Sequence, residues 1–211
     1  MESIRDQFTA KGHIALQIML DYSYRYPKNF FGQPKINVRH SLLVRDFAVY
    51  LQRLEGGNLE VVEVAGLFHD LGKISTVEGH EELIVKLLQK HKNQLAFPEQ
   101  DFNLLLQSCS EGSGVEKLLE YKILHSADNL AFLYDFQYQE AFYRFVGTKT
   151  LLFEKRITPK FHALSLETAK NIGQAFYHNA KAYWEGRSEE AKERYRPEIE
   201  GKDLASYTEE L

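Results

Sequence analysis

The chain has 211 residues, with 26 Lys and Arg against 30 Asp and Glu and a formal net charge of −4. Hydrophobic residues make up 44%, charged residues 27%, and there are five prolines, which excludes both the disordered and the fibrous classes and suits one globular domain with an appendage. No stretch approaches the roughly 18 to 20 consecutive apolar residues of a membrane helix, and charges among residues 1–13 occupy the place of a signal-peptide core, so a cytoplasmic protein without a membrane partner is expected. The single cysteine, Cys109, excludes an internal disulfide and a thiolate zinc cage. Any metal must then be held by His and carboxylates. The negative charge disfavours nucleic acid as a partner.

Apolar residues recur at three- and four-residue intervals along most of the chain, as at Ile14, Ile18 and Met19 and at Leu42, Leu43, Phe47 and Leu51. This is helical periodicity, and the fold class is all-α. In chain order the pattern predicts helices near 5–23, 37–54, 59–71, 79–91, 99–109, 114–134, 136–147 and 161–185. A short charged helix is predicted near 188–196, in a polar C-terminal stretch. The long helix ending at Trp184 is the best defined, because Leu166, Ala169, Ile172, Phe176, Ala180 and Trp184 share one face. No helix is assigned between Gly147 and Pro159, where Lys149, Lys155 and Arg156 crowd together.

The run from Val61 to Lys73 is an apolar helix that delivers His69 and Asp70 at its C-terminal end, just before Gly72. Two such groups can converge on one ion there, where the helix dipole favours a cation. His40 sits upstream on an otherwise apolar helix, and Asp128 downstream on another. Two nitrogens and two carboxylate oxygens suit a divalent ion with positions left for water and substrate.

With these residues the sequence resembles the HD-domain superfamily of metal-dependent phosphohydrolases, whose pattern is a His, a His-Asp pair and a distant Asp on a helical bundle. The matching residues are His40, His69-Asp70 and Asp128, with the extended form His-Asp-x-Gly-Lys at 69–73, and the resemblance covers residues 36–135. It implies one HD-type domain over 1–211, with residues 136–211 as a helical extension. The implied ligands of the metal, which would be Mn, Fe, Co, Ni, Zn or Mg, are His40, His69, Asp70 and Asp128. Gly79-His80 resembles part of the pattern of two-metal members, so His80 with Glu111 would hold a second ion or a phosphate, although a single ion is favoured.

The activity implied is hydrolysis of a phosphate mono- or diester of a small compound, a nucleotide above others. The catalytic roles implied are Asp70 orienting water, Lys73 neutralising phosphoryl charge, and Glu78 or His80 transferring a proton. Lys73 resembles the lysine of phosphodiesterase-type members, and the lack of a Gly-Tyr-Pro motif argues against cyclic-di-GMP. Arg39, beside the first ligand, joins Arg144 and Lys149 of the basic, aromatic stretch 144–160 as candidate substrate contacts. The alternatives are a regulatory metal-binding module without turnover and a di-iron oxygenase, the latter needing two metals. A second copy of the chain is the protein partner the sequence leaves open.

Overall fold

The computed structural model describes residues 7–25, 34–74, 79–110 and 114–194. These form a helical bundle of α1 (Ala10–Arg25), α2 (Pro34–Glu55), α3 (Leu59–Phe68), α4 (His80–Lys90), α5 (Lys92–Leu95), α6 (Glu99–Ser108), α7 (Leu119–Tyr134), α8 (Phe136–Val146), α9 (Lys149–Leu152), α10 (Thr158–His162) and α11 (Glu167–Glu185). A 3-10 turn (Leu71–Ile74) follows α3, and a π-helical turn (Phe153–Ile157) joins α9 to α10. No strand forms among the described residues, and Thr148 and Glu190 make an isolated bridge.

The centre is α3. Every residue from Val61 to Phe68 is buried, as an apolar helix without a polar face must be. Its start is fixed by Asn58, whose side chain accepts from the Val61 amide at 3.2 Å, one of the four donors a helix start leaves unpaired. The one buried acid in it, Glu63, meets Arg45 of α2 and accepts the Thr9 amide at 2.9 Å. Thr9 also accepts from the Gly12 amide at 3.0 Å. That cap starts α1 at Ala10, five residues beyond the position periodicity predicts. Gly66 lets α2 and α3 touch, since a Cβ there would lie 2.8 Å from the Arg45 Cα. The close crossing brings the end of α3 to the first turns of α2.

The second half covers α7. The Asp135 carboxylate accepts from the amides of Gln137 at 3.0 Å and Tyr138 at 3.4 Å, ending α7 and starting α8 in one residue. Fully buried Gln139 donates to the carbonyls of Phe132 and Leu133 and accepts from Trp184 Nε1 at 2.7 Å, tying α8 to α7 and α11.

Three predicted elements are corrected. The stretch 149–162 is helical, with a π turn ahead of Pro159, whose missing N–H cannot complete an α-helical ladder. The long helix begins at Glu167, not 161, because Ala163–Leu166 turn the chain out of α10. Residues 188–194 form no helix. The Glu189 carbonyl accepts from the Lys149 amide at 2.8 Å, and its carboxylate accepts from the Thr150 amide at 3.0 Å. Its groups thus pair with donors at the start of α9 instead of with their own turn.

Candidate metal centre and adjoining cavity

His40 enters from α2, His69 caps the C-terminus of α3, Asp70 follows it, and Asp128 stands on α7. His40, His69 and Asp128 each offer a donor atom within 4.8 Å of the others. The Nε2 of His40 lies 3.1 Å from Asp128 Oδ1 and 3.9 Å from Asp70 Oδ2, and the Nε2 of His69 lies 3.6 Å from Asp70 Oδ1 and 3.8 Å from Asp128 Oδ1. Residues of α2, the end of α3 and α7 thus come together in one group, with Asp70 beside it.

Each imidazole is oriented from behind. His40 is buried and stacks on Tyr138, centroids 4.0 Å apart and planes within 6°. The Nδ1 of His69 lies 2.8 Å from the Gly66 carbonyl, to which it donates. The remaining nitrogen, Nε2, then carries a lone pair, and it is buried without a hydrogen-bond partner among the described residues. A buried acceptor with no donor costs roughly 1–3 kcal/mol. A divalent cation meets that need, and with a second imidazole and two carboxylates the donor set fits a borderline ion.

The charges agree with that fit. Burial pushes the His69 pKa down against the pull of Asp70 and Asp128, which keeps the ring neutral and able to ligate. For Asp70, burial alone would raise the pKa, but Lys73 and then His69 more than offset it, leaving the carboxylate ionised. At Asp128, Lys160, the hydrogen bond from His40 and the His69 ring likewise outweigh burial. The Tyr138 hydroxyl, raised well above its ordinary range by burial and then by Asp70 and Asp128, stays protonated and hydrogen-bonds Asp70.

The centre opens into a cavity of about 340 Å³ whose walls include Lys73, His80, Ser108, Tyr121, Arg156 and Lys160. A smaller hollow of about 60 Å³ lies against His40, Tyr138 and Phe142 and shares Lys73, Arg156 and Lys160. Lys73 Nζ sits 2.6 Å from Asp70 Oδ1. Gly72 allows this turn to abut α4, because a Cβ there would lie 2.0 Å from the His80 carbonyl. That contact brings His80 Nε2 to 3.9 Å from Asp70 Oδ1, while its Nδ1 lies 3.0 Å from Glu81. His125 lies on the cavity wall, stacked on Tyr121.

Other candidates fall elsewhere. Arg39 pairs with Asp135 at 2.9 Å and faces an apolar hollow of about 750 Å³ between α1 and α2. Arg144 lines a hollow beside Arg187 and Glu190, and Lys149 donates to the Arg187 carbonyl at 3.1 Å. Glu78 and Glu111 lie outside the described residues. Sequence reasoning did not single out Tyr138, and it reached Arg156 and Lys160 only as members of the basic stretch 144–160. The spacing of Arg156 and Lys160, four apart, was the available signal, since it places both on one helical face.

Residues 37–133 match the family model of the HD domain. None of the curated proteins compared is significantly similar in sequence. Among solved structures, the crystal structure of Bacillus subtilis YpgQ in complex with ADP is similar, with a TM-score of 0.59 and 16% identity, covering 83% of this chain and 94% of that one. At that identity the likeness concerns the fold.

Proposed function

We propose, from the match of residues 37–133 to the family model of the HD domain and the resemblance to metal-dependent phosphohydrolases that the sequence carries, that this chain is a metal-dependent phosphohydrolase that cleaves a phosphate ester of a small, nucleotide-like compound. The observation that carries the proposal is the buried Nε2 of His69, without a hydrogen-bond partner among the described residues, facing His40, Asp70 and Asp128. ADP bound to YpgQ, a structure of similar fold, supports a nucleotide-like substrate.

His40, His69, Asp70 and Asp128 would hold the ion. When bound, a divalent ion supplies Lewis acidity that polarises a phosphoryl oxygen and acidifies water. The chain's own groups do the rest. Asp70, held ionised by Lys73, accepts a hydrogen bond from the attacking water and so aims it. Lys73 lies within reach of the same oxygen and compensates charge gathering on the phosphoryl group. His80, on the cavity wall, is placed to relay a proton to the leaving group.

The test is metal content per chain on protein purified without chelator, beside a phosphatase and phosphodiesterase screen with Mn, Co, Ni and Mg. About one ion per chain with phosphate release supports the proposal, while bound metal without turnover on any substrate favours a binding module. Asp70→Ala should abolish both metal retention and hydrolysis with helix content unchanged.

A further inference from the structure

Two cations on the metal-facing cavity come from outside the HD-domain match. Arg156 stands on the π turn and Lys160 on α10, past residue 133. The π turn and Pro159 set them one turn apart on the same side, and both border the two hollows on the metal centre. Lys160 contacts the Asp128 carboxylate. Arg156 has its guanidinium carbon 4.7 Å from the Phe142 ring centroid, and no carboxylate pairs with it among the described residues.

The balance of charge indicates what these groups await. Asp70 and Asp128 are matched by Lys73 and Lys160. Arg156 is offset by Glu81 on the same wall, so a divalent ion on the four ligands would leave the cavity with two positive charges. A cavity so charged suits a phosphate carrying two negative charges more than a diester carrying one. A planar guanidinium held over an aromatic ring is suited to grip two phosphate oxygens at once.

We infer that Arg156 and Lys160 bind the dianionic terminal phosphate of the substrate, which places a phosphomonoester or the end of a phosphoanhydride, and not an internal diester, in this cavity. The inference rests on the metal-phosphohydrolase reading. Lys160, which contacts Asp128 in this structure, would be released toward the phosphate when a cation takes that carboxylate.

Inorganic phosphate is the probe. It is titrated calorimetrically into manganese-loaded wild type, Arg156→Gln and Lys160→Gln, with metal content and circular dichroism measured on each. Each variant should bind phosphate about tenfold or more weakly while keeping wild-type metal and helix content. Arg156→Lys, which retains the charge, should recover part of the loss. In wild type, p-nitrophenyl phosphate should be cleaved in preference to its bis ester. Unchanged phosphate affinity in both glutamine variants, loss of their metal, or a preference for the bis ester would each overturn the assignment. Wild type that binds phosphate through these residues but hydrolyses nothing would refute the hydrolase reading alone. Hydrolysis with unaffected variants would refute this inference alone.

Discussion

The Nδ1 of His69 donates to the carbonyl of Gly66 at 2.8 Å, three residues back in the same helix. Because that carbonyl lies at a helix C-terminus, it is one of the acceptors left without an intrahelical donor. One hydrogen bond thus caps α3 and fixes which ring nitrogen faces His40 and the two carboxylates. His69→Ala removes a ligand, and the expected loss of metal affinity exceeds the ~10–100-fold seen when supporting groups are removed. Competition with a chelating dye measures it, and wild-type affinity would refute the ligand assignment.

Gly66 also sets the spacing between α2 and α3. In Gly66→Ala the added Cβ would meet the Arg45 backbone, with the Cα at 2.8 Å and the amide nitrogen at 3.1 Å. Backbone cannot rotate out of the way, so the helices must part. The expected cost is ~1–3 kcal/mol of stability. Metal affinity should drop as well, because His40 and His69 ride on the two displaced helices. Urea melts and dye competition on the same sample separate the two effects, and a melt matching wild type would show that the crossing yields freely.

Tyr138 holds two ligands at once, stacking on His40 and hydrogen-bonding Asp70. Tyr138→Phe keeps the ring and removes the hydroxyl, whereas Tyr138→Leu removes both. A loss of roughly 10-fold in metal affinity is expected for the phenylalanine variant, with a larger one for leucine. Equal losses would assign the whole effect to the hydroxyl and none to the stack.

The bundle was legible in the sequence because periodicity records which face of a helix is buried. The nearness of His40, His69 and Asp128 was legible only through the resemblance to the HD-domain pattern, since each alone is merely a polar residue interrupting an apolar face. The helical character of 149–162 was not legible. Its hydrophobic spacing is disturbed by the π turn, and Pro159 reads as a breaker although it occupies the first turn of α10. In the sequence Arg156 and Lys160 belong to one basic stretch with the candidate substrate contacts Arg144 and Lys149, from which only the fold separates them. The Glu189 clasp was equally hidden, because it depends on donors at the start of α9 forty residues earlier in the chain.

Stability of the metal-free protein should fall in acid in two stages. The pKa of His69 is lowered from 6.5 in the folded state, burial being the main cause, so the unfolded chain binds the extra proton first. Stability is present above about pH 6.5 and is lost as pH falls from there toward the folded value. Asp70 and Asp128 are lowered from 3.8, Asp70 chiefly by Lys73 and Asp128 chiefly by Lys160, each against burial. Their contribution is present above that value and is lost as pH falls through the folded ones. In alkali the sign reverses for buried Cys109, whose pKa is pushed up by burial from 9.0 to about 12. The unfolded thiol loses its proton first, and stability declines as pH rises between those values. Urea midpoints across this range, in the presence of a chelator, check the prediction. His69→Gln should lose the upper acid stage and keep the lower one.

The last prediction concerns Glu63, one turn of α3 before Gly66 and inside the core. Its side chain is 1% exposed and that of Arg45 is 0%. One carboxylate oxygen receives the Arg45 guanidinium, with Nε at 2.8 Å, while the other takes the Thr9 amide at 2.9 Å and the Thr9 hydroxyl at 2.6 Å. Arg45 also has its guanidinium carbon 3.9 Å from the Phe8 ring centroid. The cluster therefore links α1, α2 and α3, the framework that positions both histidines. Replacing Glu63 by alanine leaves Arg45 charged, buried and without its main partner, at an expected cost of about 3–5 kcal/mol. Glu63→Gln retains an acceptor and the volume, so it should cost less. Truncating both residues, as Arg45→Met with Glu63→Leu, removes the stranded charge and should recover much of the loss. A double variant as unstable as the sum of Arg45→Met and Glu63→Leu made singly would instead show that the charges contribute independently, and thermal melts of wild type, those two single variants and the double variant decide between them.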